Sequence, residues 1–357
     1  ATYHKILGDE VTFYKGNVSD LVLSMAVKDI LLFYEGCNVV LDKTKSLIEQ
    51  YIRSGNSHSL ETLLLPVADP DIQYKIIKKL KIYRSARLQK RLGEFFSWDR
   101  IYVTTLFTFY WDITISCIED AKSYIEEDGE IKIGGVMASL LTKEIEEEVG
   151  IKPNAGLLDQ PGQLDTNNII IDDLVPDYLI LDQIDYDYPS KNAYITFMTK
   201  GCTRTCSFCS VPKIEPTYRE YVPTISKMEY IKNNFGEKCN LLLMDNNVLA
   251  SPRFPQIIDE IKEMGFYKGS KYTPANEFEV YYKSLLKNDD PHLLLSIFKS
   301  IKKVEKRVIK IANKKNVEVF QKAIGENKIG NFDSFSKEGL MNAYDVISPI
   351  IEKYRYK

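Results

Sequence analysis

Three cysteines within eight residues are the densest chemistry in the chain. Gly201-Cys202-Thr203-Arg204-Thr205-Cys206-Ser207-Phe208-Cys209 spaces its thiols as C-x3-C-x2-C, directly after an apolar, β-rich run, Tyr194-Ile195-Thr196-Phe197-Met198-Thr199. A loop this short keeps its sulfurs close together, so three thiolates can face one metal centre. Iron–sulfur clusters normally take four cysteine thiolates. A cubane held by three would leave one iron open to a substrate or cofactor. Two other readings compete. A zinc site wants a fourth Cys or His at finger-like spacing, and none follows Cys209 closely. Buried structural cysteines are the blandest reading, though they rarely come in such a cluster.

In this spacing, in the aromatic Phe208 before the third cysteine and in the preceding strand, the sequence resembles the radical S-adenosylmethionine (SAM) enzymes. The resemblance implies that Cys202, Cys206 and Cys209 ligate a [4Fe–4S] cluster whose open iron chelates the amino and carboxylate groups of SAM. One electron from an electron donor such as flavodoxin or ferredoxin then cleaves the sulfonium. The products are methionine and a 5′-deoxyadenosyl radical that abstracts a substrate hydrogen. The cofactor carries that chemistry, while the protein supplies position and exclusion of water. The resemblance also implies that Phe208 presents its backbone and ring near the adenine.

After its second strand this family usually carries a short polar or glycine-rich motif that holds the SAM amino group. Asp245-Asn246-Asn247 occupies that slot, departs from the commonest Gly-Gly-Glu form, and offers carboxylate and amide acceptors suited to an ammonium. An ordinary Asx turn at a strand end is the alternative. Beyond the cysteines, Val211-Pro212-Lys213-Ile214-Glu215-Pro216 and Arg219 resemble the post-cluster segment of several groups in the family, including those that modify RNA. Lys213 or Arg219 can offer charge to a carboxylate or simply be solvated. The substrate and the catalytic residues on its side of the site are unknown from sequence.

The elements that must position this loop read as α/β. A strand at 193–199 puts the cysteines at its carboxyl end, where parallel α/β folds gather their chemistry. A helix at 224–235, a strand at Asn240–Met244 and a helix at 254–264 follow. Residues 271–281 read as a strand and a helix start, with Asn276 or Glu279 within reach of a ribose. Helices are expected near 291–304, 316–325 and 335–354, so residues 186–357 are expected to form a partial (β/α)6 radical-SAM barrel with a helical C-terminal tail.

Residues 1–185 read as a Rossmann-like parallel-sheet domain. Ala1 to Gly8 is a helix tail ending at a capping glycine, followed by a strand over Asp9–Tyr14. A first strand and its ligand-binding turn would precede such a helix, so the natural N-terminus is expected to be missing. Helices at 18–35 and 71–92, a strand at 100–107, a helix at 112–127, a strand Ile131-Lys132-Ile133, a helix at 137–149 and a short strand Tyr178–Leu181 complete the pattern. Gly134-Gly135, at a strand-to-helix junction, permits close backbone approach. The segment Ile131 to Leu141 looks like the corresponding turn of cobalamin-binding domains. Those carry Asp-x-His-x-x-Gly, whereas this chain has only His4, His58 and His292, and Leu295 stands where the glycine after His292 should be. Cobalamin would therefore bind without a lower-ligand histidine, and a turn glycine pair with no ligand is the simpler reading. Gly156 to Gly162 either lines a domain junction or is a linker.

Composition bounds the rest. The chain has 357 residues, 44% hydrophobic and 27% charged, with net charge −3, so no global basic field advertises nucleic acid. The basic run Lys75, Lys78, Lys79, Lys81, Arg84, Arg87, Lys90 and Arg91 is a solvated helix face or a local nucleic-acid contact. No apolar run is long enough to span a bilayer. Cysteines grouped at a metal-type motif suit a reducing cytoplasm, with Cys37, Cys117 and Cys239 expected as packed small hydrophobes. Three functions follow in order: a radical SAM enzyme abstracting hydrogen from an unknown substrate, a cobalamin-dependent radical SAM methyltransferase, and a non-catalytic metal-stabilised binding module.

Overall fold

The computed structural model describes residues 1–34, 39–184, 186, 188, 190, 192–287 and 290–355. The chain divides into two compact units, Tyr14–Gly156 and Leu157–Lys357 with Ala1–Phe13. A boundary near 185 is expected from composition. Instead the segment from Leu157 onward, and the first helix, belong with the cysteine loop.

The unit Tyr14–Gly156 opens with four helices, Val18–Leu31, Leu41–Ser54, Ser57–Leu64 and Pro70–Leu88. Their starts follow ordinary capping chemistry. The Asn56 side-chain oxygen accepts from the N–H groups of His58 and Ser59, and Asp69 accepts from Asp71 ahead of a first-turn Pro70. Ile30, Ile48, Ile52, Ile76 and Leu80 share one core. Strand β1 (Trp98–Thr105) pairs in parallel with β2 (Ile125–Gly135), and the helix Trp111–Lys122 crosses between them. Ile101 joins the helical core, whereas Ile118 and Ile133 build a second one with Met137, Ile145 and Val149. This is one βαβ unit with a two-stranded parallel sheet. The single helix expected over 137–149 is two, Val136–Leu140 and Thr142–Val149, because Leu141 leaves the helical region at φ −120° and ψ 43°.

In the other unit, β3 (Ala193–Thr196) pairs in parallel with β4 (Asn240–Leu243), with Ile195 opposite Leu242. The cysteine loop and the helix Ile225–Phe235 connect them, and the helix Phe254–Glu263 follows β4. Tyr194, Met228 and Ile231 form the core beneath this sheet. Four helices then pack together: Glu277–Lys287, Pro291–Ile311, Lys314–Glu326 and Lys337–Tyr354, around Phe278, Ile297, Phe320, Leu340 and Ile347. Among the described residues each sheet has two strands, so the chain is mixed α/β, largely helical, with two small parallel sheets.

Three expected strands do not form among the described residues. Asp9–Tyr14 has no ladder; the Gln183 side chain donates to the Val11 carbonyl at 3.0 Å and accepts from the Phe13 N–H at 2.5 Å instead. Tyr178–Leu181 is a turn leading into the short 3-10 helix Ile180–Gln183, because Asp177 caps the N–H groups of Leu179 and Ile180. The strand expected within 271–281 is absent, and the helix there begins at Glu277. Thr2–Leu7 does end at Gly8, whose φ of 88° is left-handed. No helix among the described residues is long and apolar enough to cross a membrane.

Candidate functional site

The cysteine loop leaves the carboxyl end of β3 and is tied shut where it begins. Lys200 and Arg219 form an antiparallel bridge, each backbone N–H donating to the other's carbonyl at 3.1 and 3.0 Å. The Val222 N–H donates to the Met198 carbonyl at 2.8 Å, just beyond it. Everything from Gly201 to Tyr218 is therefore a closed loop carrying all three clustered thiols. Gly201 turns the chain into it at φ 65°, and a Cβ there would sit 2.8 Å from the Thr217 carbonyl oxygen. Within the loop the Cys209 N–H donates to the Cys206 carbonyl at 3.0 Å, and the Arg204 N–H points at Cys202 Sγ at 3.4 Å. All three thiols are free; Cys202 and Cys206 are partly buried and Cys209 is exposed. Phe208 is 91% exposed, so its ring packs on nothing.

The Asp245-Asn246-Asn247 run, at the end of β4, reaches this loop residue by residue. The Asp245 carboxylate accepts the Met198 N–H at 3.1 Å, the Thr199 hydroxyl at 2.5 Å and the Thr199 N–H. Asn246 Nδ2 donates to Glu215 Oε2 at 2.8 Å, and that same oxygen accepts the Gly201 N–H at 2.7 Å. Asn247 Nδ2 lies 3.8 Å from Cys202 Sγ. The run and the cysteines are thus brought together, with Asp245 occupied as a staple between strand ends. Glu215 is the participant sequence reasoning missed. It stands in the post-cluster segment as one ordinary acidic residue, and no spacing rule marks it.

The base of the loop is electrostatically balanced. Lys200 is buried and ion-paired with Asp172, and its Nζ lies 3.9 Å from the centre of the Phe197 ring. Lys227 approaches the same ring at 5.2 Å, and burial lowers its pKa, with Asp173 and Asp172 opposing that fall and Lys200 adding to it. Arg219 pairs with Asp159 at 3.1 Å, which gives it a structural partner. The segment Gly156 to Gly162, expected as linker or junction lining, thereby supplies Asp159 to the loop's base, and the chain beyond it supplies Asp172 and Asp173. Nearby, the buried Glu260 accepts from the N–H groups of Thr224 and Ile225 at 2.6 and 3.1 Å, which anchors the start of the Ile225–Phe235 helix.

Other sequence candidates lie elsewhere. Asn276 donates to Glu352, and Glu279 accepts from Tyr344 at 2.7 Å, so both serve helix packing. Gly135 is explained by strand proximity, since a Cβ there would fall 2.1 Å from the Thr105 carbonyl oxygen. His4 pairs with Asp9, and His292 with Gln183. Of the basic helix, Lys79 pairs with Asp29, and beyond its end Arg91 pairs with Glu94. Cys117 donates to Asn17, with its pKa raised by burial and by Asp120, whereas Cys239 is exposed rather than packed. Cys37 lies outside the described residues.

Among the described residues no group of three His, Cys, Asp or Glu side chains converges as a metal site. The cysteines share a loop without their sulfurs meeting at one point. The donor set nonetheless fits an iron–sulfur cluster in its chemistry: soft thiols, all unpaired, accessible, and backed by a sulfur-directed amide. No family model matches the chain, and no solved structure matches it. Over 98 residues, 24% of this chain and 74% of the other, it is 25% identical to an NADPH-dependent 7-cyano-7-deazaguanine reductase of Thermoanaerobacter pseudethanolicus.

Proposed function

We propose that this chain is a radical SAM enzyme of the reducing cytoplasm, in which Cys202, Cys206 and Cys209 hold a [4Fe–4S] cluster beside bound SAM. The observation that carries the reading is the closed loop itself: three free thiols at C-x3-C-x2-C spacing, at the carboxyl end of a parallel strand, clasped at Lys200 and Arg219. In this reading β3 and β4 begin a partial (β/α)6 barrel. A cluster held by these three cysteines would supply one-electron reductive cleavage of SAM for hydrogen abstraction, with a flavodoxin or ferredoxin as the electron source.

The chain's own residues then divide the labour. Asn246 and Asn247 use their amide nitrogens within the loop, which leaves their side-chain carbonyl oxygens as acceptors for the SAM ammonium. Asp245 holds the strand ends in register instead of contacting SAM. Phe208, exposed at the loop's tip, offers a ring and backbone to the adenine. Asn247 directs an N–H at Cys202 Sγ, the kind of contact that tunes the potential of a cluster.

The test is anaerobic reconstitution with iron and sulfide, then reduction with SAM and chromatography for 5′-deoxyadenosine. The expected result is about four irons per chain and 5′-deoxyadenosine, both lost in Cys206→Ala. Bound zinc, or a cluster that never cleaves SAM, would overturn the reading in favour of a metal-stabilised binding module.

A further inference from the structure

We infer that Glu215 is a positioning residue that couples the cysteine loop to the Asn246-Asn247 pair, an inference that rests on the function proposed above. Its Oε2 accepts the Gly201 N–H at 2.7 Å and Asn246 Nδ2 at 2.8 Å. Gly201 precedes Cys202 in the chain, and Asn247, next to Asn246, lies 3.8 Å from Cys202 Sγ. The links close a ring, from Glu215 to Gly201, Cys202, Asn247, Asn246 and back to Glu215. Two of its links are covalent and three are hydrogen-bonded. The backbone is pressed against the same place, since a Cβ on Gly201 would lie 3.1 Å from the Glu215 carbonyl oxygen.

Such a ring fixes Cys202 relative to the two asparagines before anything binds. Cys206 and Cys209 stand outside it, joined to each other by one backbone hydrogen bond. Cys202 is therefore the stationary thiol and the other two are the adjusting pair. A cofactor spanning Cys202 and the asparagine oxygens meets both ends already at their working separation, which removes an ordering cost from binding. Glu215 acts through acceptor geometry, so an amide oxygen at the same place should serve.

The experiment compares full-length wild type, Glu215→Gln, Glu215→Ala and Asn246→Ala. Hydrogen–deuterium exchange at Gly201 is read without added iron, and iron release to a ferrous chelator is read after anaerobic reconstitution. Glu215→Ala is expected to lose protection at Gly201 and to release iron about tenfold faster, as the loss of an acceptor shared by two donors predicts. Asn246→Ala, at an exposed position, should accelerate release by a smaller factor. Glu215→Gln should behave as wild type. Wild-type behaviour of Glu215→Ala, or a Glu215→Gln as impaired as Glu215→Ala, overturns the inference. If wild type itself takes up no iron, the functional reading fails. The exchange arm still judges Glu215, because unchanged protection at Gly201 in Glu215→Ala removes the ring.

Discussion

The Thr199 hydroxyl donates to the Asp245 carboxylate at 2.5 Å, and the N–H groups of Met198 and Thr199 turn to the same group. Met198 and Thr199 are the second and third residues past β3 and Asp245 is the second past β4, so one side chain caps both strand ends. A carboxylate is well suited to this, because charge-assisted hydrogen bonds are roughly twice as strong as neutral ones.

Asp245→Ala should therefore destabilise the protein by about 1–3 kcal/mol, because the buried donors of Met198 and Thr199 are left unmet. Asp245→Asn, which keeps one acceptor oxygen, should recover part of that. Urea unfolding monitored by far-UV circular dichroism gives the comparison. An unchanged midpoint in Asp245→Ala would show that the staple contributes nothing.

Gly201→Ala attacks the loop through its backbone. The φ of 65° disfavours a side chain by about 1–2 kcal/mol, and the Cβ meets the Thr217 carbonyl oxygen at 2.8 Å. Reconstituted Gly201→Ala should hold less iron than wild type while keeping its helical content. Full iron loading at wild-type stability would mean that the loop's entry is not constrained as described.

His292 makes stability depend on pH near neutrality. Burial, and secondarily Lys5, pushes its pKa below the ordinary 6.5. The folded protein then binds this proton less readily than the unfolded chain, so the contribution is present above the ordinary value and is lost as pH falls through the folded one. Protonated Nδ1 would also confront the Gln183 amide that now donates to it at 2.6 Å. Between about pH 7.5 and about pH 5.5, wild type should lose more stability than His292→Gln. Parallel denaturation midpoints in the two proteins would refute this.

Lys227 gives a test of the same sign at high pH. Burial lowers its pKa from 10.5, so the folded state sheds the proton first and stability rises as pH climbs through the folded value toward the unfolded one. Lys227→Met should be more stable than wild type at neutral pH, and the difference should shrink toward about pH 10. A Lys227→Met that is less stable at every pH would show that Asp172 and Asp173 outweigh the desolvation.

Much of this molecule is legible in its sequence, and the exceptions have causes. Periodic apolar positions and caps announce the long helices, as with Asp69-Pro70 and Asp290-Pro291. Both parallel pairs are visible as β-rich runs followed by turn residues. Two failures are segments where a side chain outcompetes a ladder: Asp177 does so locally, as a turn cap, and Gln183 from far along the chain, a partner that propensity does not register. At the site the thiol spacing is legible and its support is not. Asp245 reads from sequence as a group that contacts SAM, whereas its donors, Met198 and Thr199, belong to another strand's end. Glu215 and the Asp172 partner of Lys200 are likewise known only once the chain is folded.

The Lys200–Arg219 bridge has a consequence for how such a chain can be altered. Because the loop starts and finishes at hydrogen-bonded neighbours, its excision asks the scaffold to span almost no distance, and a tight turn can replace everything from Gly201 to Tyr218. The thiols thus occupy a cassette. A chain lacking it is the cleanest blank for any metal measurement, and its transplant onto another parallel strand end would ask how much of the chemistry travels with the loop alone.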